Sequence, residues 1–315
     1  MGDSLNLLPA GFADFRRDAE KRLPRFLFDY IDGGAGAEVT LRRNTADWEA
    51  VQLNQKVLVD ASKMDCSVEL FGEKLAMPLV LAPVGMGGMT ARRGEVQAKR
   101  AADAAGIPFC LSTVGICPME EVAQVSDQPF WFQLYMLKDR GIVQEILARA
   151  LAHGVTTLAF TIDLAVLGTR YRDIRNGMAG GLGPWGRFRS GALDYALHPR
   201  WAVDVGLMGG PHGFGNIAMY VKQSKNPRDY LHWTGTQFDS SVTWQDIEWL
   251  RKVWPGKLVL KGVLDVADAI LGPADDTRTL ARQIPYAVTP PEGPREQGVV
   301  SVSVLRNGVS IPKRG

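Results

Sequence analysis

The chain has 315 residues, of which 46% are hydrophobic and 22% charged, enough apolar material for a sizeable core and ordinary for a globular protein. Its 36 basic residues stand against 34 acidic ones, a net charge of +2 that gives no reason to propose a nucleic-acid partner. Three cysteines (Cys66, Cys110 and Cys117) form no CxxC pair, and they predict a reduced, cytoplasmic setting without disulfides.

The first nine residues show no basic stretch followed by an apolar run, so no signal peptide is expected. Phe12 to Ile31 predicts a helix with Leu23, Phe26, Leu27, Tyr30 and Ile31 on one face, ended by Gly33, Gly34 and Gly36. Arg42 to Asn54 is mixed. The most apolar stretch, Ala76 to Ala91, is broken by Pro78, Pro83, Gly85, Gly87 and Gly88. It falls short of the roughly 18 continuous apolar residues of a spanning helix, so any membrane contact is expected to be peripheral.

From Pro78 onward apolar runs alternate with helical stretches. The runs are Leu79–Pro83, Pro108–Ser112, Phe130–Tyr135, Thr157–Ile162 and Leu258–Val263. The helical stretches are Gly94–Ala105, Met119–Val125, Arg140–His153 and Val266–Ile270. Near-continuous apolar runs between helices predict parallel strands buried on both faces, in a (β/α)8 barrel or a doubly wound sheet. Asn176 to Asp239 does not follow this alternation; it is long, weakly periodic and rich in Gly, Trp, Met and Phe. Such a segment predicts either a lid or, with Trp185, Phe188, Trp201, Met208 and Phe214 beside Arg187, Arg189 and Arg200, a surface that docks on an anionic membrane. Beyond it the Pro-rich tail, residues 270–315, is off-pattern, with a helix expected only at Asp275–Gln283.

Several chemistries find no support. Gly85-Met-Gly87-Gly88-Met-Thr90 and Gly34-Ala-Gly36 both lack the third glycine of a dinucleotide fingerprint. His153, His198, His212 and His232 have no partner at metal-ligand spacing, and no GxSxG elbow is present. What remains is a set of polar residues at strand C-termini: Ser112 and Thr113, Gln133 and Tyr135, Thr161 and Asp163, and Lys261. In a barrel that edge carries the chemistry. Neutral donors, a phenol and one cation suit a planar, partly anionic cofactor, with no metal. A lysine inside an apolar run is costly to bury without an anionic partner.

Phe28-Asp-Tyr-Ile-Asp-Gly-Gly-Ala35, Leu81-Ala-Pro-Val-Gly85, Ala91-Arg-Arg-Gly-Glu-Val-Gln97, Leu111-Ser-Thr113, Trp131-Phe-Gln-Leu-Tyr135 and Lys261-Gly-Val263 resemble the FMN-dependent 2-hydroxy acid dehydrogenases. His198-Pro-Arg-Trp-Ala-Val-Asp-Val-Gly206, Pro211-His212 and Gly215-Asn-Ile217 look most like the quinone-linked bacterial L-lactate dehydrogenases among them. The resemblance runs from about Leu5 to Ala269 and implies a TIM barrel, with residues 1–269 as one incomplete domain in which about five strands are recognisable. It also implies FMN as cofactor, L-lactate or another 2-hydroxy acid (mandelate, glycolate) as substrate, and a membrane quinone or other acceptor for the electrons. A homo-oligomer and a place on the inner face of the cell membrane are compatible with it.

By resemblance, the main chain of Ala82, Pro83, Val84 and Gly85 would lie against the flavin, and Ser112, Gln133 and Thr161 would hydrogen-bond its ring. Lys261 would stand at the ring edge that becomes anionic on reduction. Tyr30, Tyr135 and Arg170 would hold the substrate, the guanidinium being suited to a carboxylate by its planar donor fork. The family carries its base in a Ser-Asn-His-Gly-Gly-Arg segment and its phosphate-binding residues in a later Asp-x-Gly-x-Arg segment; neither occurs in this sequence. From about Ile270 the chain departs from the family pattern, as truncation or a frameshift would produce. A non-catalytic family member therefore stands beside the enzyme as an expectation.

Overall fold

The computed structural model describes residues 8–55, 57–166, 168–178, 183–221 and 233–264. In chain order the helices are α1 (Phe12–Arg22), α2 (Arg25–Asp32), α3 (Val39–Glu49), α4 (Gly87–Thr90), α5 (Gly94–Ala105), α6 (Met119–Ala123), α7 (Arg140–Ala152), α8 (Tyr171–Asn176), α9 (Pro184–Phe188), α10 (Asp194–Leu197), α11 (Pro199–Trp201) and α12 (Trp244–Val253). The strands are β1 (Val68–Leu70), β2 (Glu73–Leu75), β3 (Cys110–Ser112), β4 (Phe130–Leu134), β5 (Val155–Thr161) and β6 (Lys257–Lys261). The helices expected at Val266–Ile270 and Asp275–Gln283, His232 and the tail lie outside the described residues.

The chain forms two compact units. One draws on Met1–Arg43, Gly87–Gly94 and Gly168–His212, the other on Asn44–Met86, Glu95–Leu167 and Gly213–Gly315.

In the second unit β3, β4, β5 and β6 make one parallel sheet, in sequential order. A fifth extended segment joins its β3 edge: the Leu81 N–H donates to the Pro108 carbonyl at 2.9 Å and the Leu81 carbonyl accepts from Cys110 N–H at 3.0 Å. All five expected runs therefore sit side by side in chain order. A doubly wound sheet reverses its order at a switch point; this one does not, which is the order of a barrel. Among the described residues the sheet is an open arc. Every residue of β3 and β4 is buried, as continuous apolar runs require of strands covered on both faces.

Side chains alternate across a strand, so the two faces divide by parity. One face carries Cys110, Trp131, Ala159 and Val259, which pack with Leu70, Leu75, Val68 and Phe71 of the β1–β2 hairpin. That hairpin turns through Phe71 (φ 52°) and Gly72 (φ 76°), the left-handed pair of a tight two-residue turn. It covers the sheet near the N-terminal ends of its strands. Two residues along each strand, the same face carries Ser112, Gln133, Thr161 and Lys261 at the C-terminal ends.

α5 presents Val96, Lys99 and Ala102 to the interior, and α7 presents Val143, Ile146, Leu147 and Ala150. The Asp139 carboxylate caps α7, accepting from Gly141 N–H at 2.8 Å and Ile142 N–H at 3.3 Å. Lys99 is fully buried; its ammonium donates to both Asp103 oxygens at 2.6 Å and to Ser126 Oγ at 3.0 Å. Residues 213–221 dock back onto the β3–α6 turn, where Gly215 leaves no room for a side chain. A Cβ there would meet Pro118 N at 2.4 Å and the Ile116 carbonyl oxygen at 2.7 Å. Gly215→Ala is expected to cost about 2–3 kcal/mol, read as a lower urea midpoint at unchanged m-value.

In the first unit the helix expected over Phe12–Ile31 is two helices. Pro24 disfavours helical dihedrals at the preceding residue, and Leu23 is extended (ψ 141°). The buried face is Leu23, Leu27 and Phe28, while Ile31, expected inside, is exposed. Phe26 packs edge-on against Tyr195 and Trp201, whose Nε1 donates to the Met89 carbonyl at 2.7 Å. Arg172 bridges Asp32 at 2.8 Å and Glu38 at 2.6 Å. Hydrogen bonds from Arg16 and then Arg172 hold the Asp32 carboxyl below its ordinary range. The aperiodic stretch is helical here: α9, α10 and α11 alternate with π-helical turns at Arg189–Leu193 and Ala202–Leu207. The wider π repeat breaks the 3.6-residue rhythm, which is why the sequence looks patternless.

Candidate active site

Four adjacent parallel strands end in polar side chains on one face. β3 ends at Ser112, β4 carries Gln133 next to its end, and β5 and β6 end at Thr161 and Lys261, which are paired in register. The Ser112 hydroxyl donates to Gln133 Oε1 at 3.1 Å, and Gln133 Nε2 donates to Thr161 Oγ1 at 2.9 Å. All three are buried, so the relay satisfies groups that would be costly to strand, and it fixes which way the Gln133 amide points. Thr113, one residue on, donates from Oγ1 to the Gln133 carbonyl at 2.6 Å and accepts from Tyr135 N–H at 3.2 Å.

Lys261 stands at the end of its strand, where the sequence placed it, but its side chain is 47% exposed rather than buried, with the Asp163 carboxylate 3.8 Å away. Gly262 follows at φ +109°, where a Cβ would run into the Asp163 side chain at 2.5 Å. The turn after Leu81 leaves Ala82 and Val84 exposed, and the Met86 N–H that closes it donates to the Val114 carbonyl at 2.9 Å.

Tyr135 lines a small solvent-open cleft of about 50 Å³ with Thr161, Leu164, Phe238 and Val242. Its ring lies 4.8 Å from that of Phe238 at 32°. The Phe238 segment is held down by Arg140, which donates to Asp239 and Asp246, both at 2.6 Å. The Ser241 hydroxyl and N–H, with Arg140, hold the Asp239 carboxyl at about 2 against the opposing effect of burial. In the unfolded chain that carboxyl titrates near 3.8. Its contribution is therefore complete at neutral pH and above about 4, and is lost as pH falls toward 2. Asp239→Asn is expected to flatten the acid limb of the urea midpoint against pH between about 4 and 2.

Tyr30 and Arg170, in the first unit, are brought together. Arg170 Nη2 donates to the carbonyls of Tyr30 and Gly33, and the guanidinium sits 4.9 Å from the Tyr30 ring centroid. Arg170 Nε lies 3.3 Å from Asp173. Burial pushes the Tyr30 phenol up; Arg170 opposes it. The described histidines have local partners: His198 Nδ1 lies 2.7 Å from the Asp194 carbonyl, His212 Nε2 lies 2.7 Å from the Val205 carbonyl, and His153 lies 3.9 Å from Glu120.

Two residues that sequence reasoning passed over hold the β3–α6 turn. The Glu95 carboxylate, buried, accepts from Ile116 N–H at 2.8 Å and Cys117 N–H at 3.4 Å. Asn216, fully buried, is the second. Asn216 stood in the sequence only as part of the Gly215-Asn-Ile217 motif, with nothing local to report its contacts.

A sequence profile described as FMN-dependent dehydrogenase matches residues 19–272. The chain belongs to the FMN-dependent dehydrogenase family. It is 55% identical over 256 residues to L-lactate dehydrogenase of Ectopseudomonas mendocina (strain ymp), a match over 81% of this chain and 66% of that protein. L-lactate dehydrogenase of Alcaligenes faecalis is 54% identical with the same coverage. Among solved structures, the monotopic membrane protein (S)-mandelate dehydrogenase aligns with a TM-score of 0.74 at 36% identity, over 82% of this chain and 67% of that one. The chain thus spans 66% of the length of these curated relatives.

Family membership confirms the TIM-barrel type of the sheet and FMN as the family's cofactor. The residues present fit the flavin ring. The Ser112–Gln133–Thr161 relay offers alternating donors and acceptors on one face of the sheet, Lys261 offers a solvent-reachable cation beside Thr161, and the Ala82–Gly85 turn an accessible main chain. No helix among the described residues is long and apolar enough to cross a membrane.

Proposed function

We propose that this chain serves FMN-dependent oxidation of an L-2-hydroxy acid, L-lactate to pyruvate, with the electrons leaving to a membrane quinone. The observation that carries the reading is the Ser112–Gln133–Thr161 relay with Lys261, at the C-terminal ends of consecutive parallel strands. FMN, when bound, supplies the two-electron acceptor. Ser112, Gln133 and Thr161 would orient its ring, and Lys261 would offer a cation to the ring edge where negative charge develops. Within the second unit, Tyr135 and Phe238 line the cleft that would take the substrate side chain. Lactate is favoured over mandelate by identity to the two lactate dehydrogenases.

A second reading is a family member that holds flavin without turning over. The visible spectrum of the full chain with FMN, before and after anaerobic L-lactate, separates the two. Bands near ~450 nm that bleach support the enzyme. Bands that persist support the silent family member, and a colourless protein sinks both.

The segment around α9 to α11 supports docking on an anionic membrane surface. Of the residues expected there, Trp185, Phe188 and Met208 are exposed, joined by Leu197 and Leu207 (68% and 80%), in a stretch that also holds Arg189 and Arg200, whereas Trp201 and Phe214 are buried in the core and take no part. Trp185→Glu with Leu207→Glu is expected to abolish flotation of the chain with phosphatidylserine vesicles. Unchanged flotation would favour the lid instead.

A further inference from the structure

The Gly215-Asn-Ile217 motif has no part in the chemistry described so far, yet Asn216 is among the most buried polar residues of the chain, with no measurable exposure. Its Nδ2 donates to the Ser112 carbonyl at 3.0 Å, and its Oδ1 accepts from Met119 N–H at 2.8 Å. Its own carbonyl accepts from Arg149 Nη1 at 2.9 Å, and Arg149 is held in turn by Glu120 at 2.7 Å. The Gly215 N–H donates to the Gly115 carbonyl at 2.9 Å. One side chain thus spans the β3–α6 turn from the last residue of β3 to the first residue of α6.

Ser112 is also the first member of the relay. Its carbonyl accepts from Asn216 and from Gly115 N–H, while its hydroxyl donates to Gln133, which donates to Thr161. We infer that Asn216 is a positioning residue for the flavin edge: its amide sets the Ser112 peptide, and through it the direction of the Ser112 hydroxyl and the Gln133 amide. The amide is required because both a donor and an acceptor must be supplied from one buried side chain. An apolar residue leaves the Ser112 carbonyl one donor short and strands the Met119 N–H. The inference rests on the assignment of Ser112 to FMN.

The test is a double-mutant cycle on the full chain. FMN affinity is measured by quenching of flavin fluorescence for the wild type, Asn216→Ala, Ser112→Ala and the double variant, with urea midpoints to show each is folded. Asn216→Ala is expected to weaken FMN about tenfold in the wild-type background and less than about twofold once Ser112 is alanine, because its effect runs through Ser112. A merely structural role moves both backgrounds by the same factor, and that result overturns the inference while leaving the FMN site standing. A wild-type chain that does not quench flavin overturns the FMN reading itself, and the inference with it. Should Asn216→Ala fail to fold, Asn216→Asp keeps the acceptor for Met119 N–H and sets a carboxylate oxygen against the Ser112 carbonyl where the donor was; the same cycle is then read with it.

Discussion

Lys99→Met is expected to cost about 3–5 kcal/mol of folding free energy. The ammonium is fully buried and is shared between both oxygens of Asp103 and the Ser126 hydroxyl. Removing it leaves the Asp103 carboxylate, itself only 19% exposed, without its cation. The loss arises from that uncompensated charge rather than from the worth of the pair, since desolvation offsets much of the Coulombic gain. Lys99→Met with Asp103→Leu is therefore expected to recover to within about 1 kcal/mol of the wild type. Urea midpoints of the three chains test this. A double variant less stable than Lys99→Met alone would falsify the account.

Gln133→Met is expected to act mainly on the cofactor. The substitution keeps volume at a position 1% exposed, but it removes the acceptor for the Ser112 hydroxyl and the donor to Thr161 Oγ1. The Ser112 hydroxyl still accepts from Val114 N–H at 3.3 Å, so the lost order of the relay costs the ring about 1–3 kcal/mol in all. FMN affinity should fall by roughly ten- to a hundredfold, since each 1.4 kcal/mol lost is a factor of about ten. Lys261→Met, by contrast, should leave the ring seated and shift its reduction potential. A Gln133→Met chain that binds FMN like the wild type would remove the relay from the site.

The strands were legible in the sequence because burial on both faces writes a continuous apolar run. Phe130–Tyr135 and Thr157–Ile162 match β4 and β5 to within two residues at either end. The β1–β2 hairpin was not seen: each strand has three residues, too few to show alternation, and the first residue of its turn, Phe71, carries a positive φ without being glycine. Pro24 announced the break between α1 and α2, but the apolar face on either side of it masked the signal. At the site, Ser112, Gln133, Thr161 and Lys261 could be found because strand ends recur in chain order. Asn216 could not. Its partners Ser112 and Met119 lie 104 and 97 positions away, and no local pattern reports a contact at that separation.

The sheet also has an uneven rhythm along the chain. Residues 113–129 link β3 to β4 and residues 135–154 link β4 to β5, whereas β5 and β6 are separated by residues 162–256. Loop-closure entropy rises only with the logarithm of length, about 0.6 kcal/mol per doubling, so a connection roughly five times longer costs only about 1.4 kcal/mol more to close. The kinetic effect is larger, because pairing across so many residues must wait for the nearer strands to assemble. Folding should run from β3 through β5 as a local zipper, with β6 arriving last. Exposed turns inside that connection are then free to change in length at small thermodynamic cost, provided its packed residues, Trp201, Asn216 and Leu250 among them, keep their places.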